Sequence, residues 1–336
     1  MNIIIYKIKT TLFLIILINL FFSFFYTFKA YANEDFNIWL NEYKKNALEK
    51  GISKKTIDSV FKKVKFLEKV LVYDRRQPEF FEDTNTYVKK RATASRSKKA
   101  IELFKKNESL FLEVESKFNV EKEILLALWG IETNFGKHVG KMDIISSIAT
   151  LSFDKRRSEF FSAQLFILLK LVDKNLIEPE KLYGSWAGAY GNFQFMPSTI
   201  ERYAIDYDNN NKIELKESLD DSLASAANYI SKIGWKEGEP CFYKVKLTKK
   251  INQKYINTSA RTISSRLKVS KWKKMGVEIL DNMKINNKLK AALILPDGKE
   301  NSPTFLVFQN YEKILKWNRS LRFGVSVCTL ANMIKT

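Results

Sequence analysis

The chain has 336 residues but one histidine and two cysteines, and the single histidine removes whole classes of chemistry. A zinc centre built on several histidines, or two separate histidine-based centres, cannot be assembled from His138 alone. A serine or cysteine triad would have to use the same side chain as its base. His138 lies in the glycine-flanked stretch "FGKHVGK", with neither a Gly-x-Ser-x-Gly elbow nor a cysteine nearby. No glycine-rich phosphate loop follows a strand, which argues against nucleotide chemistry. Cys241 and Cys328 fix no framework: in an oxidising compartment they could pair, and two separate buried thiols fit the sequence equally well. After residue 33 no run is long and apolar enough to cross a bilayer. No organic cofactor is expected. What remains is carboxylate chemistry.

The hydrophobic content of 45% is that of a globular protein. Residues 1–32 read as a signal peptide: Lys7 and Lys9 precede the apolar run "TLFLIILINLFFSFFYTF", and "AYA" at Ala30–Ala32 supplies the small residues of a cleavage site. This predicts a periplasmic protein cut after Ala32, with an uncleaved membrane anchor as the competing reading. The formal charge of +20 falls to +17 when Lys7, Lys9 and Lys29 leave with the leader, which favours polyanionic partners. Export argues against nucleic acid, and the lysines are spread along the chain instead of forming one basic arm. Anionic envelope polymers fit better, as does peripheral association with lipid head groups. A lysine-rich coding bias is the bland alternative. Nothing names a protein partner.

Four segments follow the leader. Residues 33–117 carry apolar residues at spacings of three and four ("IELFKKNESLFLEVESKF") and predict an α-helical lobe. Residues 118–240 hold most of the glycines and the unusual polar positions. Residues 241–308, with alternation in "CFYKVKL", a turn signal ending "KAALILPDG" and the β-rich "TFLVF", predict a small β-containing insertion. Residues 309–336 return to helical spacing. The predicted class is mainly α (α+β).

Within "LLALWGIETNFGK" one carboxylate interrupts an apolar helix. At about 100° per residue, Glu132 falls at about 340°, inside the arc bounded by Leu128 near 300° and Trp129 near 40°. Phe135 and Gly136 look like the helix end, where the backbone dipole opposes a negative side chain. Burial and dipole both favour the protonated carboxyl near neutral pH, the state a general acid needs. The alternative is a glutamate paired with a lysine or arginine at the core edge. A second polar stretch, "YGSWAGAYGNFQFMPSTIERYA", combines small residues, aromatics and amides. That mixture suits a saccharide groove, although tight helix packing would use the same glycines.

A third stretch, "DYDNNNKIELKE", nearly fits the twelve-residue EF-hand pattern. Asp206, Asp208 and Asn210 stand at positions 1, 3 and 5, the carbonyl of Lys212 at 7 and Glu217 at 12. Position 6 should be glycine and is Asn211, which tolerates a left-handed turn better than most residues. Structural calcium is expected there, against the alternative of an asparagine-rich turn capped by Ser218.

Five ordered blocks, "GIETNFG", "TLSFDKRRSEFFSAQL", "GSWAGAYGNFQFMPSTIERYAIDYD", "AANYISKIGW" and "KWNRS", resemble the membrane-bound lytic murein transglycosylase B family, glycoside hydrolase family 103. The resemblance spans roughly residues 80 to 330 and implies a lysozyme-like catalytic core in 118–240, completed by the C-terminal helices. It implies cleavage of the β-1,4 bond between N-acetylmuramic acid and N-acetylglucosamine without water, leaving 1,6-anhydromuramoyl ends. Glu132 would be the single acid and base. Ser185, Gln194 and Asn318 would hold acetamide and hydroxyl groups, while Arg156, Arg157, Tyr87 and Trp317 match groove positions. Trp317 stands where the family commonly has tyrosine, so no hydroxyl is available there. The family also carries a metal loop directly after its "QFMPS" block. The rival functions are a hydrolytic muramidase, which needs a second carboxylate to position water, and a non-catalytic peptidoglycan-binding module.

Overall fold

The computed structural model describes residues 34–76, 81–280, 285–299 and 302–335. The signal-peptide reading of residues 1–32 lies outside the described residues. Among those described, no helix is long and apolar enough to cross a membrane.

Six helices come first: α1 (residues 34–49), α2 (Lys54–Phe61), α3 (Glu68–Arg75), α4 (Thr84–Arg91), α5 (Ala94–Lys106) and α6 (Glu108–Phe118). α7 (Lys122–Thr133), α8 (Ile144–Phe153), α9 (Ser158–Asp173), α10 (Pro197–Tyr203) and α11 (Leu219–Lys232) follow, with the two-residue strands β1 (Met142–Asp143) and β2 (Tyr183–Gly184) between them. Local sequence sets many of the starts. Ser53, Asp83, Thr93, Asp143 and Ser218 each accept, through the side chain, the backbone N–H three residues on, satisfying a donor the helix itself leaves open. Pro197 opens α10 at a position where no N–H is needed.

The remaining strands all fall between Phe242 and Val307: β3 (Phe242–Leu247), β4 (Ile256–Asn257), β5 (Leu267–Lys268), β6 (Val277–Ile279), β7 (Lys290–Ile294) and β8 (Thr304–Val307), with the short helix α12 (Val269–Lys274) between β5 and β6. Their order is β4-β7-β8-β3-β6, with β5 also paired to β7; all pairs are antiparallel except β4 with β7. The period-two alternation seen in the sequence divides the sheet into two faces. Phe242, Ala292, Ile294, Phe305 and Val307 join the main hydrophobic core, while Tyr243, Val245, Leu293, Leu306 and Phe308 enclose Trp272 of α12 in a second cluster. The described residues are thus mainly helical, with this small sheet and the two-stranded pair of β1 with β2, as the sequence pattern requires.

The chain returns to the helices through α13 (Gln309–Trp317) and α14 (Leu321–Lys335). α14 packs on α4, α5, α7 and α13. Cys241, directly before β3, is joined to Cys328 in the middle of α14 with a Cα–Cα distance of 6.0 Å. Of the two alternatives that the sequence left open, pairing is the one the structure adopts.

Candidate active site

α7 is buried on every side: each residue from Ile124 to Gly130 is enclosed. The apolar arc inferred from the sequence is therefore too narrow a description, because the helix threads the core and has no solvent face over two turns. Glu132 is half-buried and sits one residue before the helix ends. The chain then turns sharply. Asn134, Phe135 and Gly136 all take positive φ, at 51°, 61° and 79°. A left-handed phenylalanine is costly, and such residues collect where function over-determines the backbone. Phe135 folds back over Gly130, where a Cβ would lie 2.8 Å from the phenyl ring.

Trp317, the last residue of α13, donates its indole N–H to Glu132 Oε1 at 2.9 Å. The indole brings a hydrogen-bond donor without a charge. Its ring is held by Tyr229, stacked at 5.1 Å between centroids, and by Phe195 at 5.3 Å. Tyr229 stacks in turn on Tyr203 at 4.6 Å, and its hydroxyl donates to the Lys316 carbonyl at 3.1 Å. Burial pushes the Tyr229 hydroxyl up to about 12, so it stays a neutral donor. Trp317, the position at which the resemblance implied no hydroxyl, thus reaches Glu132 with an indole N–H.

The glycine-rich stretch wraps the loop after α7. Tyr190 and Phe195 exchange two backbone hydrogen bonds at 2.9 Å, closing a turn in which Gly191 (φ 77°) and Gln194 (φ 52°) are left-handed. A Cβ on Gly191 would lie 2.3 Å from the Leu215 carbonyl oxygen, so only glycine lets these backbones meet. Gln194 spends both amide hydrogens on backbone, donating to Gly191 O at 2.9 Å and Val139 O at 3.2 Å. Its Oε1 is the atom left to accept. Ser185 Oγ accepts the Ala189 N–H at 2.9 Å and the Ala187 N–H at 3.3 Å, which keeps its own hydrogen for donation. Asn318 caps the end of α13 next to Trp317, half-buried, with its N–H on Ile314 O at 3.1 Å. Trp317 thus meets Glu132 directly with Asn318 next to it in the chain, Gln194 ties the glycine-rich turn to Val139 in the stretch after α7, and Ser185 holds its own turn.

The other groove candidates stand on different contacts. Arg156 and Arg157 both clamp the carboxylate of Asp74 on α3, whose side chain is almost fully buried. They hold the start of α9 to α3, and the two side chains stay 46% and 38% exposed. Tyr87 is buried on α4, with the Arg91 guanidinium 3.4 Å over its ring.

In the acidic loop, Asp206 and Asp208 converge as the pattern requires, and Asn211 has a φ of 67°, the left-handed turn expected at the position of the missing glycine. Asn210 Oδ1 accepts the Lys212 N–H at 2.9 Å. Glu217 does not join them: it is exposed, with Lys216 at 3.7 Å. The third carboxylate is Asp221, buried in the first turn of α11, whose oxygens also accept Tyr207 N–H and Glu214 N–H, both at 2.8 Å. One oxygen from each of Asp206, Asp208 and Asp221 lies within 4.8 Å of the others, a hard-oxygen set that fits calcium.

Asn192 is the positioning residue that the sequence gave no reason to select. Buried, it accepts the Trp129 indole N–H at 3.1 Å on Oδ1, takes the Thr133 hydroxyl at 2.8 Å on its carbonyl, and donates Nδ2 to Lys216 O at 3.0 Å. It therefore joins the end of α7 to the acidic loop. Its only outward sign is a polar side chain in an otherwise small and aromatic run, which a surface turn would also show.

Comparison with known proteins bears on this geometry. The family model for the transglycosylase SLT domain matches residues 35–332. Membrane-bound lytic murein transglycosylase B of Escherichia coli (strain K12) is 39% identical over 123 residues, which is 36% of this chain and 34% of that protein. The aligned stretch thus spans about a third of that relative. SltB3 from Pseudomonas aeruginosa, solved in complex with NAG-NAM-pentapeptide, superposes with a TM-score of 0.81 at 32% identity, covering 89% of this chain and 79% of that one. The Escherichia coli lytic transglycosylase Slt35 in complex with calcium shares the fold, with a TM-score of 0.75 at 24% identity over 90% of this chain and 93% of that one.

Proposed function

We infer, for a chain that belongs to the transglycosylase SLT domain family, that it is a lytic murein transglycosylase, cutting the β-1,4 bond between N-acetylmuramic acid and N-acetylglucosamine and closing a 1,6-anhydro ring. The observation that carries this reading is Glu132, a single carboxyl group where a buried helix reaches the surface, oriented by an uncharged indole donor. The solved complexes of SltB3 with NAG-NAM-pentapeptide and NAG-anhNAM-pentapeptide support the substrate class.

Protonated Glu132 donates its proton to the glycosidic oxygen as the bond from that oxygen to C1 breaks. The carbonyl oxygen of the 2-acetamido group shares the positive charge at C1, as in substrate-assisted glycosidases. The carboxylate then takes the proton of the 6-hydroxyl while O6 bonds to C1, which restores the acid and consumes no water. One group acts first as acid and then as base, so a second carboxylate is not required. Gln194 Oε1, the Ser185 hydroxyl and the Asn318 amide are the groups to hold acetamide and hydroxyls. Arg156 and Arg157, fixed by Asp74, would offer exposed cation to the anionic peptide arms. Trp317 borders the acid through its indole N–H, and Tyr87 is the aromatic that the family resemblance adds to the groove. Product chemistry tests the reading: sacculi digested by the purified protein should yield anhydro ends, whereas reducing ends would favour the hydrolytic rival.

Calcium would be held by Asp206, Asp208 and Asp221, with Asn210 and the Lys212 carbonyl completing the oxygen set. It would brace the loop that Asn192 ties to α7. At a hundredfold excess over Kd such binding adds about 2.7 kcal/mol of stability. Chelation should therefore lower Tm by several degrees, and calcium should restore it more fully than magnesium. An unchanged Tm removes the metal from the account. The leader-like residues 1–32 and the paired cysteines support export to an oxidising envelope compartment, the compartment in which this substrate resides.

A further inference from the structure

The positive charge is not shared evenly along the chain. Lysines are spread throughout, but acids are scarce in one place: residues 241–308 carry fifteen lysines and arginines against four aspartates and glutamates. That segment therefore holds +11 of the +17 that follows residue 33, in about a fifth of the chain. One of its four acids, Asp297, is already committed, accepting Arg322 Nη2 at 2.8 Å and the Thr84 hydroxyl at 2.6 Å. Nothing in the proposed mechanism uses this charge.

The sheet concentrates it further. Lys268, Lys271, Lys274 and Lys290 are exposed and, together with Arg266, Leu267 and Ser270, line an open groove of about 520 Å³ between β5, α12 and β7. No lining residue is acidic, and the ion pair of Arg266 with Glu312 lies at the groove's edge on α13. α12 arises because Val269 and Trp272 bury against the sheet, which leaves Lys271, Lys273 and Lys274 outward. Lysines held this close repel one another, and an anionic ligand relieves that repulsion.

We propose that this groove is an attachment site, separate from the cleavage site, for the carboxylate-bearing peptide arms of peptidoglycan. The choice of ligand rests on the transglycosylase reading; the existence of an anion-binding face does not. A bilayer is the competing polyanion. Leu280 is the one exposed large apolar side chain among the described residues of this segment, so the face lacks the apolar anchor that stable membrane binding adds to a polybasic patch. A groove also suits discrete carboxylates better than a planar surface. The position is useful as well, since Cys241–Cys328 fixes the sheet to α14, and α14 packs on α7, which carries Glu132. A strand held at the groove is held to the same body that carries the acid, and two weak contacts on one polymer multiply.

The test uses the full chain carrying Glu132→Gln, so that sacculi are bound and not digested, with and without Lys268→Gln, Lys271→Gln, Lys274→Gln and Lys290→Gln together. A control set replaces four exposed lysines of the helical region, Lys45, Lys55, Lys62 and Lys63, by glutamine. At low salt the groove set should weaken sedimentation with sacculi about tenfold and flatten its salt dependence, and the control set should not. Sacculi stripped of peptides by an amidase should abolish the difference. With Glu132 intact, the groove variant should cleave a peptide-free glycan oligomer at the normal rate, which shows that the fold is preserved. Equal binding by groove variant and parent overturns the proposal, as does equal weakening by the control set. Loss of binding to phosphatidylglycerol vesicles with sacculus binding intact overturns it in favour of a membrane. If the wild-type protein makes no anhydro product yet the groove set still weakens binding to sacculi, the transglycosylase reading fails and the attachment site stands.

Discussion

Glu132→Gln should release anhydromuropeptides at least about a thousandfold more slowly than the wild type, within the range that positioned acid and base groups supply. Glutamine keeps the shape of the side chain and can still accept the Trp317 indole N–H through its amide oxygen. What it cannot do is give up a proton to the glycosidic oxygen and take one back from the 6-hydroxyl. Both halves of the reaction fail together, so no added nucleophile should restore turnover at the sugar. Tm and sacculus binding should stay at wild-type values, because the substitution leaves the α7 core and the Asn192 bracing intact. Residual activity within tenfold of the wild type would remove Glu132 from the mechanism. A wild type that releases no product, with sacculus binding unchanged by the substitution, would point to the non-catalytic rival.

Breaking the Cys241–Cys328 bond should give the largest change in stability. The bridge closes 87 residues, for which chain entropy alone gives about 4.6 kcal/mol. That is a large share of the 5–15 kcal/mol or so by which folded domains are stable. Cys241 leads into β3 and Cys328 is buried in the middle of α14, so the bond anchors the sheet to the helix that packs on α7. Cys241→Ala with Cys328→Ala should lower Tm markedly, and reductant should do the same to the wild type while leaving the double variant unaffected. A wild-type Tm indifferent to reductant would mean that the packing of Phe242, Phe305 and Val307 on the main core suffices without the bond.

Features that depend on a short window of residues are legible in the sequence alone. Alternation in "CFYKVKL" marks β3, and the sheet's two faces follow from the same parity. Glu132 stands out because a charge inside an apolar helix has few explanations, and the family resemblance narrows them. Features that depend on distant partners are not legible in this way. Asp221 lies beyond the twelve-residue frame in which Glu217 is expected to close the loop, since the carboxylate comes from the start of the next helix instead. Asp74 is 82 and 83 residues from the arginines it joins, and no spacing rule reaches that far. Two cysteines alone do not decide between pairing and separate burial. The basic face is hidden for a different reason: lysine positions alone look uniform, and only the missing acids of 241–308 reveal the imbalance.

The central claim is that Glu132 serves twice and water does not enter. Digesting sacculi in water enriched in oxygen-18 tests it directly. The account predicts muropeptides one water lighter than hydrolysis products, carrying no heavy oxygen at C1, and none released by Glu132→Gln. Reducing ends labelled with oxygen-18 in the initial products would contradict it.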